Sequence, residues 1–273
     1  MRLAAALALL LVAPLPRERV ELRVLVYNIH AGKDAAGADN LERVAAMIRE
    51  TRADVVLLQE VDRGTERSDR TDQPAVLARL TGYHAAFGKT LDYQGGEYGI
   101  AVLSRWPITR DTLVRLPVRP PQQRAGGSYE PRGLLHATVA GPAGAIHVLN
   151  THLDPSAEDG YRIQEVTAVL AYAERIAAGV DPVILGGDFN ALPESRVHRQ
   201  VIERTWRDAW DACGRGSGGG GGGGGGATYP DAAPLKRIDY LFFPAGLGCD
   251  SAVVLDSRAS DHRPLLVIVP GDG

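Results

Sequence analysis

An α/β architecture of two mixed β-sheets packed face to face, with helices on the outside, is what this sequence predicts. Three observations lead there. The chain has 273 residues, 45% of them hydrophobic, enough for one large core, and no second core-sized block is visible. Strand-type and helix-type patterns mix without the strict alternation of a purely parallel fold. Hairpin-like pairs of strand patterns dominate the middle of the chain.

The elements follow in order. Residues 20–27, Val-Glu-Leu-Arg-Val-Leu-Val-Tyr, start in alternation and become continuously apolar, as in a strand entering a core. Asp39-Asn40 can cap a helix over 41–51, with Leu41, Val44, Ala45 and Ile48 on one face. Residues 54–58 read as a short buried strand, and 73–81 as a second helix with Pro74 in its first turn. Strands are expected over 98–103, 110–116, 133–139 and 145–149. The longest helix is expected over 156–178, with a stripe of Ile163, Val166, Leu170, Ala173 and Ile176. A buried strand at 183–185, a short helix over 194–204 and strands over 238–243, 252–255 and 265–269 complete the set.

Residues 20–270 therefore form one expected domain. Ahead of it, Met1-Arg2 and the apolar run 3–13 read as a secretory signal peptide, too short to span a bilayer as a mature helix. No clean small-x-small cleavage triplet precedes Arg17, so an uncleaved tether or a mis-assigned start stays open. Export is the expectation, and a cytoplasmic location if the run is no signal. Cys213 and Cys249 match no zinc spacing; they read either as a disulfide or as two small buried side chains. The stretch 214–227 holds nine consecutive glycines from Gly218 and reads as a disordered surface loop. It lacks the flanking strand, helix and Lys of a phosphate loop.

Chemistry gathers where apolar strands end. Tyr27-Asn28-Ile29-His30, Gln59-Glu60-Val61-Asp62, Asn150-Thr151-His152, Gly187-Asp188-Phe189-Asn190 and Ser260-Asp261-His262 share this plan, and Asp239 lies within an apolar run. Each has a plainer explanation alone: Asn28 a turn cap, Asp188 and Asn190 an Asx turn, Asp239 a structural acceptor, the histidines ordinary core residues. Glu60 is harder to dismiss, because a carboxylate at a buried strand end needs a partner. Together the residues form an oxygen-rich set with imidazoles beside it. Such a set suits Mg²⁺ or Mn²⁺ better than Zn²⁺. A hard cation with carboxylate-activated water suits hydrolysis of phosphate esters.

The ordered set Asn28, Gln59-Glu60, Tyr98-Gly99, Asn150-Thr-His152, Gly187-Asp188-Phe-Asn190, Asp239 and Ser260-Asp261-His262 resembles the endonuclease/exonuclease/phosphatase superfamily, the DNase I-like metal-dependent phosphoesterases. That group includes pancreatic-type DNase, abasic-site endonucleases, inositol polyphosphate 5-phosphatases and neutral sphingomyelinases. The resemblance spans about 20–269. It implies a four-layer α/β sandwich. It implies Glu60 as principal metal ligand with Asn28 beside it and Asp261 as a further metal-side carboxylate. Asp188 would orient or deprotonate the attacking water, and Asn190 would contact the phosphate. His262 would hydrogen-bond the scissile phosphate or act as base, held in its tautomer by Asp239. His152 would stabilise the pentacovalent state or protonate the leaving oxygen. Asn150, Tyr98, Arg132 and His30 are the candidate substrate contacts, with a solvent-exposed arginine the alternative for Arg132.

A net charge of −3 argues against bulk duplex binding. A phosphodiesterase or phosphatase acting on a lipid headgroup or small molecule is the favoured reading, with peripheral membrane contact and a monomeric state as its companions. A secreted nuclease acting on DNA or RNA is the alternative, and a catalytically inactive binding module the remote one.

Overall fold

The computed structural model describes residues 21–121, 130–214 and 225–270. The expected leader at 1–19 and positions 215–224 of the glycine-rich stretch lie outside the described residues. In chain order the elements are β1 (Glu21–Asn28), α1 (Leu41–Thr51), β2 (Val55–Arg63), α2 (Gln73–Thr81), β3 (His84–Tyr93), β4 (Gly96–Ser104), β5 (Ile108–Leu116), β6 (Arg132–Gly141) and β7 (Gly144–His152). Then come α3 (Gly160–Ala177), β8 (Val183–Asp188), α4 (Arg196–Glu203), β9 (Trp206–Asp208), α5 (Ala209–Cys213), β10 (Asp239–Pro244), β11 (Ser251–Val254) and β12 (Leu265–Pro270).

The strands form two six-stranded mixed sheets, β11-β12-β1-β2-β4-β3 and β5-β6-β7-β8-β10-β9. The four layers follow from alternation along the strands. Val24 and Val26 of β1 point inward, packing with Leu57, Val102, Leu135, Val148, Ile184 and Leu241 between the sheets. Leu25 and Tyr27 point outward, under Val44, Ala45 and Ile48 of α1 and Leu77 of α2. On the second sheet, Leu149, Leu185 and Phe242 face Val166, Val169, Leu170 and Ala173 of α3 and Val197 and Val201 of α4. This is the four-layer α/β sandwich expected. No helix among the described residues is long and apolar enough to cross a membrane.

Several boundaries move for local reasons. The helix α3 starts at Gly160, not 156, because the preceding loop is pinned otherwise. Arg162 Nη1 donates to the carbonyls of Asp154 and Ser156, and the Asp154 N–H donates to Glu165 Oε2. Asn40 sits at the α1 N-cap, but its side chain makes no cap bond. Its amide donates instead to Ile29 O and Lys33 O, tying down the turn after β1. The strand β3 was not anticipated. Its Ala85-Ala86-Phe87-Gly88 run has weak strand character, and it forms by pairing with β4. Cys213 and Cys249 are joined in a disulfide, Cα–Cα 5.9 Å, which fastens α5 to the approach to β11.

Each sheet has a parallel pair at its centre, β1 with β2 and β7 with β8. Parallel neighbours end on the same side. The C-terminal ends of all four strands meet at one edge of the sandwich, and the antiparallel β10 and β12 begin there. The strand-end polar residues are gathered by that topology.

Candidate active site

Asn28 ends β1, His152 ends β7 and Asp188 ends β8, directly opposite Asp239 at the start of β10. Glu60 lies in β2 where the register with β4 shifts between Leu58 and Val61. Its φ of 54° marks a bulge, which turns this side chain out of the regular alternation. Asp188 follows Gly186-Gly187. At Gly187, φ is +137°, and a Cβ would stand 1.9 Å from Thr151 O, so only glycine lets β8 run this close to β7.

The side chains lock together. Asn28 Nδ2 donates to Glu60 Oε1 and Asp188 Oδ2, each at 3.1 Å, while its Oδ1 accepts from His30 N. Asp188 Oδ1 accepts from Asn190 N at 2.9 Å. Its Oδ2 is 3.6 Å from His152 Nε2 and 3.7 Å from His262 Nε2. His262 Nδ1 donates to Asp239 Oδ2 at 2.8 Å, which leaves Nε2 turned toward Asp188. Thr228 Oγ1 donates to the same Asp239 oxygen at 2.6 Å. Asn190 Nδ2 donates to Leu153 O and to His152 Nε2. Asp188, Asp239 and His262 are buried, with ligand atoms within 4.8 Å of one another.

Burial raises the Asp188 carboxyl above its usual range, and the Asp239 charge raises it further. Burial pulls His262 down, but the charge and hydrogen bond of Asp239, with Asp188 and Asp261 behind them, win and raise it. Tyr98 is raised well above the usual phenol range, first by burial and then by Glu60.

Glu60, His152, Asp188 and His262 face a cleft of about 1120 Å³ that is also lined by Tyr98, Arg132, Asn190 and Asp261, with Asn28, Asp239 and Thr228 buried behind them. Three expectations need correction. Asn150 is not on the cleft. It is fully buried, donates to Leu58 O and Ala101 O and accepts from Gln59 Nε2. Its bonds bind the two sheets together, so it is not a substrate contact. Asn28, expected as a metal ligand, is fully buried and presents its amide nitrogen to both carboxylates. It fixes their spacing. His30 stands outside the cleft lining, its Nδ1 3.8 Å from Asp261 Oδ1.

Sequence reasoning missed Thr228, which follows the glycine-rich stretch with no periodic pattern around it. It also missed Arg67, Tyr93, Glu130, Arg162 and Lys236 on the cleft walls, which come from segments with no metal-ligand residue types in series. Arg237 escaped too. It pairs with Asp208 at 2.6 Å, buried beside His198, and with the exposed Asp211 at 2.9 Å, and this cation makes that cluster a structural ion-pair group.

The donor set fits a hard divalent cation. Glu60, Asp188 and Asp261 offer carboxylate oxygens to one cleft, and no thiolate is near. Asp239 Oδ1 is buried without a hydrogen-bond partner among the described residues. Such uncompensated negative charge favours an added cation.

Sandwich and site together are those of the DNase I-like proteins, carboxylates and imidazoles at the shared edge of two sheets. Residues 25–262 match the Endonuclease/Exonuclease/phosphatase family, and the chain belongs to it. It is 27% identical to the protein YbhP of Escherichia coli K12 over 266 residues, 91% of this chain and 96% of that protein. The endonuclease/exonuclease/phosphatase of Beutenbergia cavernae superposes with a TM-score of 0.71 at 27% identity, covering 94% of this chain and 72% of that one. A mannosyl-6-phosphatase of Bacteroides thetaiotaomicron shares the fold, TM-score 0.71 at 18% identity over 91% of this chain and 99% of that one. The family hydrolyses phosphate esters.

Proposed function

We infer that this protein is a divalent-metal-dependent phosphoesterase acting on a small phosphorylated molecule or headgroup. One observation carries the reading: Glu60, Asp188 and His262, remote in sequence, meet at one cleft and are joined from behind through the buried Asn28 and Asp239 by hydrogen bonds and ion-pair distances. A Mg²⁺ or Mn²⁺ ion held by Glu60 and Asp261 would supply Lewis-acid polarisation of a phosphoryl oxygen. Asp188, buried and flanked by two imidazoles, is placed to take a proton from an attacking water. Asp239 holds His262 with Nε2 turned into the cleft beside Asp188, from where it would hydrogen-bond a phosphate bound there. Asn190 N holds the other carboxylate oxygen, Oδ1, and the Asn190 amide braces His152 beside Oδ2.

The test is turnover of p-nitrophenyl phosphate and bis-p-nitrophenyl phosphate during Mg²⁺ and Mn²⁺ titrations. Metal-dependent hydrolysis abolished by EDTA and by His262→Ala is expected. No hydrolysis with either metal would sink the reading. Export belongs to the same proposal. It is supported by the Met1-Arg2 apolar start and by the Cys213–Cys249 disulfide, a bond that persists in oxidising compartments. Fractionation of expressing cells tests it: protein confined to the cytoplasm refutes export.

A further inference from the structure

A second set of metal-ligand side chains lies on the β6–β7 pair, away from the cleft. Alternation puts His136 and Thr138 of β6 and His147 of β7 on the same face as Leu134 and Leu149, the face that looks toward α3. His136 Nε2 stands 2.9 Å from His147 Nδ1. Each ring's other nitrogen has an oxygen partner. His136 Nδ1 lies 2.9 Å from the Tyr172 hydroxyl of α3, and His147 Nε2 lies 3.6 Å from Asp181 Oδ2. Thr138 Oγ1 borders the gap, 3.5 Å from His147 Nδ1. The His147 side chain is 20% exposed, which gives an ion a way in. It comes five residues before His152, about 16 Å of strand from the cleft end of β7.

The surroundings suit a metal ion better than a proton. An ionised Asp181 only accepts, so it favours the His147 proton on Nε2 and leaves the Nδ1 lone pair facing His136. Burial, then His147 and Arg110, push His136 down to about 4, so this ring is neutral near pH 7. Neutral imidazole is the form that ligates metals. Ligating histidines hold an oxygen on their second nitrogen, as both rings do here. Two nitrogens each about 2.0 Å from one ion stand about 2.8 Å apart at a right angle and about 3.3 Å apart on a tetrahedron. The observed 2.9 Å fits the right angle, as in a tetragonal Cu²⁺ centre. The rings are tilted by 58°, and rotation about the soft Cβ–Cγ torsion brings both lone pairs onto one point. The group of His198, Asp208 and Asp211 differs, because Arg237 already takes the cation's place there. Asp181 pairs with His147 alone among the described residues.

We propose that His136 Nε2 and His147 Nδ1 form a second metal site, for a divalent transition metal of the Cu²⁺ type, with water and the Thr138 hydroxyl completing the coordination. The ion joins β6 to β7 beside α3. It is separate from the hard-cation cleft of Glu60, Asp188 and Asp261, and it does not rest on the phosphoesterase reading.

The experiment titrates the full chain with Cu²⁺ in a large excess of Mg²⁺, followed by electron paramagnetic resonance and by NMR. The expected result is a saturating tetragonal Cu²⁺ signal split by two nitrogens, which Mg²⁺ does not displace. His136→Gln and His147→Gln should each weaken Cu²⁺ binding about tenfold or more, and Asp181→Asn should weaken it several-fold, because that carboxylate orients the ligating ring. His262→Ala should leave the signal in place. In the parent, substoichiometric Cu²⁺ should broaden the resonances of His136, Thr138 and His147 first. This last reading needs no variant, so it decides the matter even if the glutamine variants do not fold. Broadening confined to His152 and His262, Cu²⁺ binding unaltered in H136Q/H147Q, or no saturable binding at all would each overturn the proposal. Hydrolysis of phosphate esters with Mg²⁺ is measured apart from all three, so either reading can fail alone.

Discussion

Replacing Thr228 by valine removes one hydroxyl and almost no volume. The side chain is fully buried, and its Oγ1 lies 2.6 Å from Asp239 Oδ2, the oxygen that also accepts from His262 Nδ1. Backbone bonds of Thr228 N to Lys236 O, and of Arg263 N to Thr228 O, are untouched by the change. The other carboxylate oxygen of Asp239 has no hydrogen-bond partner among the described residues, so Thr228→Val leaves this carboxylate, among them, with the imidazole alone. A hydrogen bond to a charged group contributes about 1.5–3 kcal/mol. At about 1.36 kcal/mol per decade, that is roughly 10- to 150-fold if all of it is felt in orientation of the His262 ring. Part of the loss will appear as stability, so kcat should fall about 10- to 50-fold, with KM nearly unchanged. The urea midpoint should drop by the equivalent of about 1 kcal/mol. Thr228→Ser, which restores the hydroxyl, should recover most of the rate. Turnover of the valine variant within twofold of the parent would refute a role for Thr228 in holding the Asp239–His262 pair.

Asn150→Ala strips partners from Leu58 O, Ala101 O and Gln59 Nε2 in the dry seam between sheets. At about 1–3 kcal/mol per orphaned group, urea unfolding should show a loss of about 3–9 kcal/mol. A raised KM with unchanged stability would instead restore Asn150 as a substrate contact. Glu165 is raised from 4.5 to about 7, first by burial, against the Asp154 N–H and Arg132, which pull it down. The folded state therefore holds a proton that the unfolded state releases. Its stabilisation is complete below about pH 4.5 and lost as pH rises through about 7, on the order of 3 kcal/mol. Glu165→Gln should thus gain stability relative to the parent as pH climbs from 4 to 8; a flat difference across paired chemical melts rules this out. Gly187→Ala forces a Cβ against Thr151 O at a left-handed φ, and should sharply lower soluble yield and melting temperature. A melting curve matching the parent would show that β8 can shift to make room.

Much was legible in one dimension. Alternation in Val24-Leu25-Val26-Tyr27 gave a strand buried on both faces, because side chains of an extended chain point alternately to two layers. The stripe of Leu41, Val44, Ala45 and Ile48 gave α1, and Pro74 in a first turn gave α2, because helical periodicity and the fixed φ of proline act within a few residues. Strand-end polar residues were legible for the same local reason: an apolar run that stops at Asn28 or Asp188 reads as such without its neighbours.

What lay beyond a short window was decided only by the fold. The chain names Asn150 and Asp188 in like terms, as polar residues after an apolar run. The register of β7 with β6 and β8 sends one into the seam between sheets and the other to the cleft. β3 exists because β4 offers it an edge, not because its own residues favour extension. Thr228 reaches Asp239 only once β10 returns alongside β8. Hydrogen bonds and charges act over a few ångströms of space, and chain separations as long as the 160 residues between Asn28 and Asp188 are closed by topology alone.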